Sequence, residues 1–100
     1  MATDPLFRMT VEDVFSIRGR GTVVTGQIES GTLVVGDEIS FRREGVLKKT
    51  VVTGIESFRK QLQQAQAGEN VGVLLRNINK PDIQHGDVLT GSDTEFTWNP

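Results

Sequence analysis

Eleven glycines, at positions 19, 21, 26, 31, 36, 45, 54, 68, 72, 86 and 91, cut this chain into short pieces. A glycine inside a helix costs about 1 kcal/mol against alanine, whereas at a reversal it reaches positive φ without a Cβ clash. Between the glycines stand residues that suit an extended backbone: Val 12, Ile 6 and Thr 10 against 3 Ala and 7 Leu. The pattern predicts an all-β chain, a sandwich or a small barrel, with strands in the runs 7–17, 21–29, 37–41, 48–56, 70–77 and 86–89. Antiparallel strands of this length leave edges that invite pairing, and closure into a barrel removes them. In 21–29, Val23, Thr25 and Gln27 alternate with Thr22, Val24, Gly26 and Ile28, so neither face is purely polar. That strand is expected to be buried on both sides or bent at Gly26. Segment 57–67, with Phe58, Leu62, Ala65 and several glutamines, departs from the pattern, and propensity alone makes it a short helix.

At 100 residues there is room for one domain, with 91–100 reading as an aperiodic tail after a barrel spanning 1–90. The chain has no cysteine and a single histidine, His85, which excludes a disulfide framework, a thiolate nucleophile and a multi-histidine zinc site. No metal site is expected. A formal net charge of −2 argues against gripping phosphate backbones by bulk electrostatics, so any nucleic-acid contact must be local. No run approaches the roughly 18 apolar residues of a membrane span, and the start is neither basic nor apolar; a cytoplasmic protein without a membrane partner is expected.

Signatures of catalysis are missing. There is no G-x-x-x-x-G-K-[ST] phosphate loop and no G-x-S-x-G elbow, and His85 sits in the turn composition Gln84-His85-Gly86-Asp87. Asn79-Lys80-Pro81-Asp82 matches the guanine-reading N-K-x-D tetrapeptide, but that motif works after a parallel strand of an α/β sheet, so a turn is the expected outcome. Glu12 and Asp13 are adjacent, and on an extended strand they face opposite sides, which prevents work as a paired acid and base. No catalytic residue is assigned.

Val11-Glu12-Asp13-Val14-Phe15-Ser16-Ile17 followed by Gly19-Arg20-Gly21-Thr22-Val23-Val24-Thr25-Gly26 resembles the second domain of elongation factor Tu, in the translational GTPase family. The resemblance continues in order through Val35-Gly36-Asp37-Glu38, Thr53-Gly54-Ile55-Glu56, Phe58-Arg59-Lys60 and Ala67-Gly68-Glu69-Asn70-Val71-Gly72-Val73-Leu74-Leu75-Arg76. It implies a closed six-stranded antiparallel β-barrel and an extended or irregular 57–67, overruling the helix. It further implies a non-catalytic module that helps to hold the 3′ end of aminoacyl-tRNA, with GTP and Mg bound by a separate preceding domain and no cofactor in this chain. By the same resemblance Ile17, Gly19, Val23, Glu56 and Leu74 form a pocket for the terminal adenine, and Arg59 lies near its ribose-phosphate. Glu12, Asp13, Phe15, Thr25 and Asn70 lie near the aminoacyl group.

The implied partners are aminoacyl-tRNA, the GTPase domain and third domain of a parent factor, and the ribosome. Gln27 and Ser30 stand where the family usually carries arginine, and Ser57 where it usually carries methionine, so this surface is less basic than the resemblance would give. The sequence is expected to be either an excised domain or an independent small protein; in the second case the barrel would be a structural or protein-interaction module with a vestigial tRNA pocket.

Overall fold

The computed structural model describes residues 6–91. Ten strands follow one another: β1 (Arg8–Thr10), β2 (Asp13–Ile17), β3 (Gly21–Ser30), β4 (Thr32–Val34), β5 (Glu38–Arg43), β6 (Val46–Ser57), β7 (Lys60–Leu62), β8 (Gln64–Gln66), β9 (Asn70–Leu75) and β10 (Val88–Gly91). Six of them close a ring by antiparallel pairing, in the order β1, β10, β5, β6, β9, β3 and back to β1. This is the closed six-stranded barrel that the sequence led us to expect. β2 adds to the outside of this ring by pairing with the first half of β3, β7 pairs with the end of β6, and β4 with β8 forms a separate two-stranded sheet. Segment 57–67 is extended, contributing the end of β6 with β7 and β8, because its apolar residues go into barrel packing: Ala65 is buried and Leu62 packs against the core. The only helical turn among the described residues is a 3-10 turn at Lys80–Asp82. No helix among them is long and apolar enough to cross a membrane.

Strand alternation selects the core. Val24 and Ile28 of β3, Ile39 and Phe41 of β5, Val71, Val73 and Leu75 of β9, Met9 of β1 and Leu89 of β10 all point inward and share one buried cluster. β6 does the same with Thr50 and Val52 and then changes phase. Val52 pairs with Leu75 but Gly54 pairs with Leu74, so Thr53 is the extra residue of a bulge. Beyond it Ile55, not Gly54, enters the core. Gly54 and Glu56 therefore face outward.

Gly26 lies where β3 changes partner from β2 to β1, and it faces inward against Met9 and Thr10. Four acidic side chains close turns in the same way. Asp37, Glu69, Asp82 and Asp87 each accept the backbone N–H of the residue three before, at 2.8, 2.8, 2.9 and 3.0 Å, while donating their own N–H to that residue's carbonyl. Asp82 is thus spent on the turn that begins at Asn79, and Asn79-Lys80-Pro81-Asp82 is a turn as expected. His85 is an exposed residue of the turn that Asp87 closes. Glu29 is bound by the Thr10 hydroxyl at 2.7 Å and by Arg8 at 2.9 Å. Those two donors, the hydroxyl first, hold its carboxyl below the usual range. The contribution is present at neutral pH and is lost as pH falls through that lowered value.

The expected tail, 91–100, lies outside the described residues except for Gly91, which ends β10.

Candidate functional site

Residues opposite one another in an antiparallel pair point to the same side of the sheet. Following the register outward from β2 gives two adjoining rows on the outer face. Phe15 stands beside Val23, Val23 beside Leu74 and Leu74 beside Gly54; Asp13 stands beside Thr25, Thr25 beside Gly72 and Gly72 beside Glu56. Ile17 and Gly21 continue the face at one end, Gln27 and Asn70 at the other. Eight of the residues singled out in the sequence, Asp13, Phe15, Ile17, Val23, Thr25, Glu56, Asn70 and Leu74, therefore share one face, although they come from four strands.

The face has a nearly buried apolar floor. Val23 and Leu74 are each 6% exposed, yet neither belongs to the inner cluster. Their neighbours are glycines: a Cβ on Gly72 would sit 3.3 Å from Val23 Cγ1, and one on Gly54 would sit 3.4 Å from Leu74 Cδ1. Missing Cβ atoms in the middle of two strands thus leave a trough beside the two aliphatic side chains. Phe15 (49% exposed) and Ile17 (37% exposed) form its open apolar wall. Glu12, Thr25, Glu56, Ser57, Asn70 and Gly72 line an adjacent open depression of about 250 Å³.

Glu12 enters that depression from the connection between β1 and β2, its own N–H donating to Thr25 at 2.7 Å. Glu56 is held across the face by Arg20, whose Nη2 is 2.6 Å from Glu56 Oε2. Thirty-six positions separate the two in sequence. Arg20 belongs to the tight connection between β2 and β3, where its N–H donates to Ile17 at 2.9 Å and Gly19 takes φ +82°. Positive φ at the third residue of that reversal is the demand of a type II turn, which glycine meets without strain. A Cβ on Gly19 would meet nothing within 4 Å, so the space beside its backbone is open, whereas Gly54 and Gly72 lie against Leu74 and Val23.

Arg59 is not on the sheet face. It occupies the two-residue loop between Ser57 and Lys60 with Phe58, at φ +69° and +51°. Positive φ at both positions is a type I′ turn, which normally carries Asn-Gly. Phe58 is 92% exposed and contributes no core packing in return. Replacing Phe58 by Asn together with Arg59 by Gly is accordingly expected to stabilise the barrel by about 1–2 kcal/mol, read as a higher melting temperature; a fall would mean that the aromatic ring has a partner on the barrel. Three polar side chains around the site serve the backbone: Gln27 Nε2 donates to Gly68 at 3.1 Å, Ser30 Oγ to Leu6 at 2.7 Å and Ser57 Oγ to Asn70 at 3.2 Å. The sequence did not nominate Arg20, Gly54 or Gly72. Gly72 between two valines in a strand run was a legible signal for a close approach, whereas nothing local marks Arg20 as the partner of Glu56.

Among the described residues no cluster of His, Asp or Glu suits a metal ion. The face combines apolar walls, a glycine floor and one carboxylate steadied by a guanidinium. Those parts suit a flat, partly apolar group with a hydrogen-bond donor at its edge. A family model described as Elongation factor Tu domain 2 matches residues 21–90. That span contains Val23, Thr25, Glu56, Arg59, Asn70 and Leu74, while Glu12, Asp13, Phe15, Ile17 and Gly19 precede it.

Proposed function

We propose a function from one premise: this chain belongs to the elongation factor Tu domain 2 family, and is a translation-factor barrel domain. Its outer face over β2, β3, β9 and β6 holds the 3′ aminoacyl-adenosine end of aminoacyl-tRNA. The observation that carries this reading is the convergence of Phe15, Val23, Leu74 and Glu56 around Gly54 and Gly72. A single unpaired base needs a flat apolar slot plus hydrogen bonding at its edge, without a broad basic surface. The net charge of −2 is compatible with that.

The chemistry discriminates between bases. Arg20 engages Glu56 Oε2, and the remaining carboxylate oxygen accepts from the exocyclic amine of adenine. Guanine presents a carbonyl at the corresponding edge, and two acceptors facing each other repel. Ile17, Val23 and Leu74 supply the apolar contacts. Arg59, at the tip of its turn, approaches the ribose-phosphate, and Glu12, Asp13, Phe15, Thr25 and Asn70 surround the aminoacyl group. No bond is made or broken by the barrel; GTP and Mg belong to another domain of a parent factor. The neighbouring domains and the ribosome complete the partner set, and affinity for the barrel alone is weak because a shared ligand loses avidity.

Glu56→Gln tests the edge recognition. It keeps the shape and an acceptor but removes the charge, and affinity for a short CCA-ended aminoacyl oligonucleotide, followed by amide chemical shifts of Gly19, Glu56 and Asn70, is expected to fall about tenfold. The melting temperature should change little, because a partly exposed ion pair contributes about 0–1 kcal/mol. Unchanged affinity in the variant would remove Glu56 from the site. Silence of all three amides in the parent chain at millimolar ligand would remove the site itself.

A further inference from the structure

The other half of the barrel carries a second depression, of about 530 Å³, outside the strands β1, β10, β5 and β6. Its geometry follows from register. Arg8 stands beside Thr90, Thr90 beside Ser40 and Ser40 beside Lys49, giving one row of four side chains across four adjacent strands. Arg8 thus flanks the two hydroxyls within the depression, and Lys49 continues the row just beyond its lining. Arg42, exposed and two residues beyond Ser40 on the same face, adds a third cation, and Leu47 with Val88 supplies an apolar wall.

The hydroxyls are short of partners. Ser40 is 8% exposed, and its Oγ meets Thr90 Oγ1 at 3.4 Å, well beyond the length of a good O–H···O bond; the Thr90 hydroxyl reaches Ser40 carbonyl at the same 3.4 Å. A nearly buried hydroxyl that faces a depression and has only stretched bonds is one that a ligand oxygen would satisfy. The nearby carboxylates are already engaged. Glu29 is bound by Arg8 Nε and Thr10, which leaves the terminal nitrogens of Arg8 for another acceptor. Asp87, which itself lines the depression, takes the Gln84 N–H and lies 4.0 Å from Arg43.

We propose that this depression binds a phosphomonoester of nucleotide size, its phosphate above the Ser40 and Thr90 hydroxyls between Arg8, Arg42 and Lys49, its apolar body on Leu47 and Val88. Three cations and two hydroxyls offer more donors than one carboxylate can use, whereas the three oxygens of a terminal phosphate can take them all. The volume lies within the roughly 300–1,000 Å³ of small-molecule sites. A free nucleotide and the terminal phosphate of an oligonucleotide present the same chemistry.

The test is an amide-shift titration of the chain with adenosine monophosphate, adenosine, inorganic phosphate and a short 5′-phosphorylated oligonucleotide. Adenosine monophosphate is expected to shift Ser40, Lys49 and Thr90 saturably, inorganic phosphate to shift them more weakly, and adenosine to leave them still. Arg42→Gln with Lys49→Gln, both exposed, should lower the affinity about tenfold. Tighter binding of the oligonucleotide would make a nucleic-acid end the source of the phosphate; tighter or equal binding of the mononucleotide would make it a free nucleotide. No shift at millimolar adenosine monophosphate, equal shifts with adenosine, or full affinity in the folded double variant overturns the proposal. Shifts confined to Gly72 and Leu74 would overturn it while leaving the aminoacyl-adenosine face intact.

Discussion

Gly26→Ala is expected to lower the stability of the barrel by about 3 kcal/mol or more, the upper range for overpacking a tight core. A Cβ at this position runs into the Thr10 carbonyl and lies 3.2 Å from Met9 Cγ. Met9 is fully buried, and Thr10 belongs to the strand that closes the ring through both β3 and β10. A flexible side chain could swing aside; the backbone of a strand paired on both sides cannot do so without moving the ladder. For a domain of this size about 3 kcal/mol corresponds to a fall in melting temperature of roughly 12 °C or more. A variant melting within about 3 °C of the parent would mean that β1 is not seated on Gly26.

Gly72→Val separates function from fold. Its Cβ lies 3.3 Å from Val23 Cγ1 and 3.9 Å from Thr25 Cγ2, both side chains on the outer face, so the added methyl groups grow into the trough and away from the core. A β-branched residue suits the strand, but the nearly buried Val23 must give way by a few tenths of an ångström, and the stability cost is expected to stay within about 2 kcal/mol. Affinity for the aminoacyl oligonucleotide, in contrast, is expected to fall about a hundredfold or more, since a base excluded from the slot loses its apolar contacts and its reach to Glu56 together. Retained affinity in a folded Gly72→Val variant would show that the base does not lie in the trough. The two substitutions probe the two faces of one sheet, on strands that pair through Gly26 and Val71, next to Thr25 and Gly72.

Much of this arrangement was legible in the residues themselves. The β-branched runs located most ring strands, and the inward and outward sets of β3 follow from alternation alone. The puzzle of that strand, apolar on both faces, resolves into two different environments: Val24 and Ile28 lie in the core, and Val23 lies under the outer trough. Gly26 marks where it changes neighbours. Segment 57–67 was the failure of local propensity. Glutamines and leucine favour a helix in isolation, but two short pairings and the burial of Ala65 outweigh differences of a few tenths of a kcal/mol per residue. The three short strands β4, β7 and β8 left no periodic signal because three residues are too few to show one.

By itself, then, the sequence determined that the chain is built of short strands and that neither cysteine chemistry nor a multi-histidine metal site is available, while its resemblance to the second domain of elongation factor Tu nominated Phe15, Val23, Glu56 and Leu74 for one tRNA-end site. Only the tertiary structure decided which way Glu56 points. Uninterrupted alternation from Thr50 and Val52 would have turned Gly54 and Glu56 into the core; the extra residue at Thr53 shifts the phase, buries Ile55 and brings the carboxylate out beside Gly72, within reach of Arg20. A bulge depends on the partner strand skipping a residue, and ion pairing across 36 positions depends on the ring having closed. Neither is a property of any local stretch of chain.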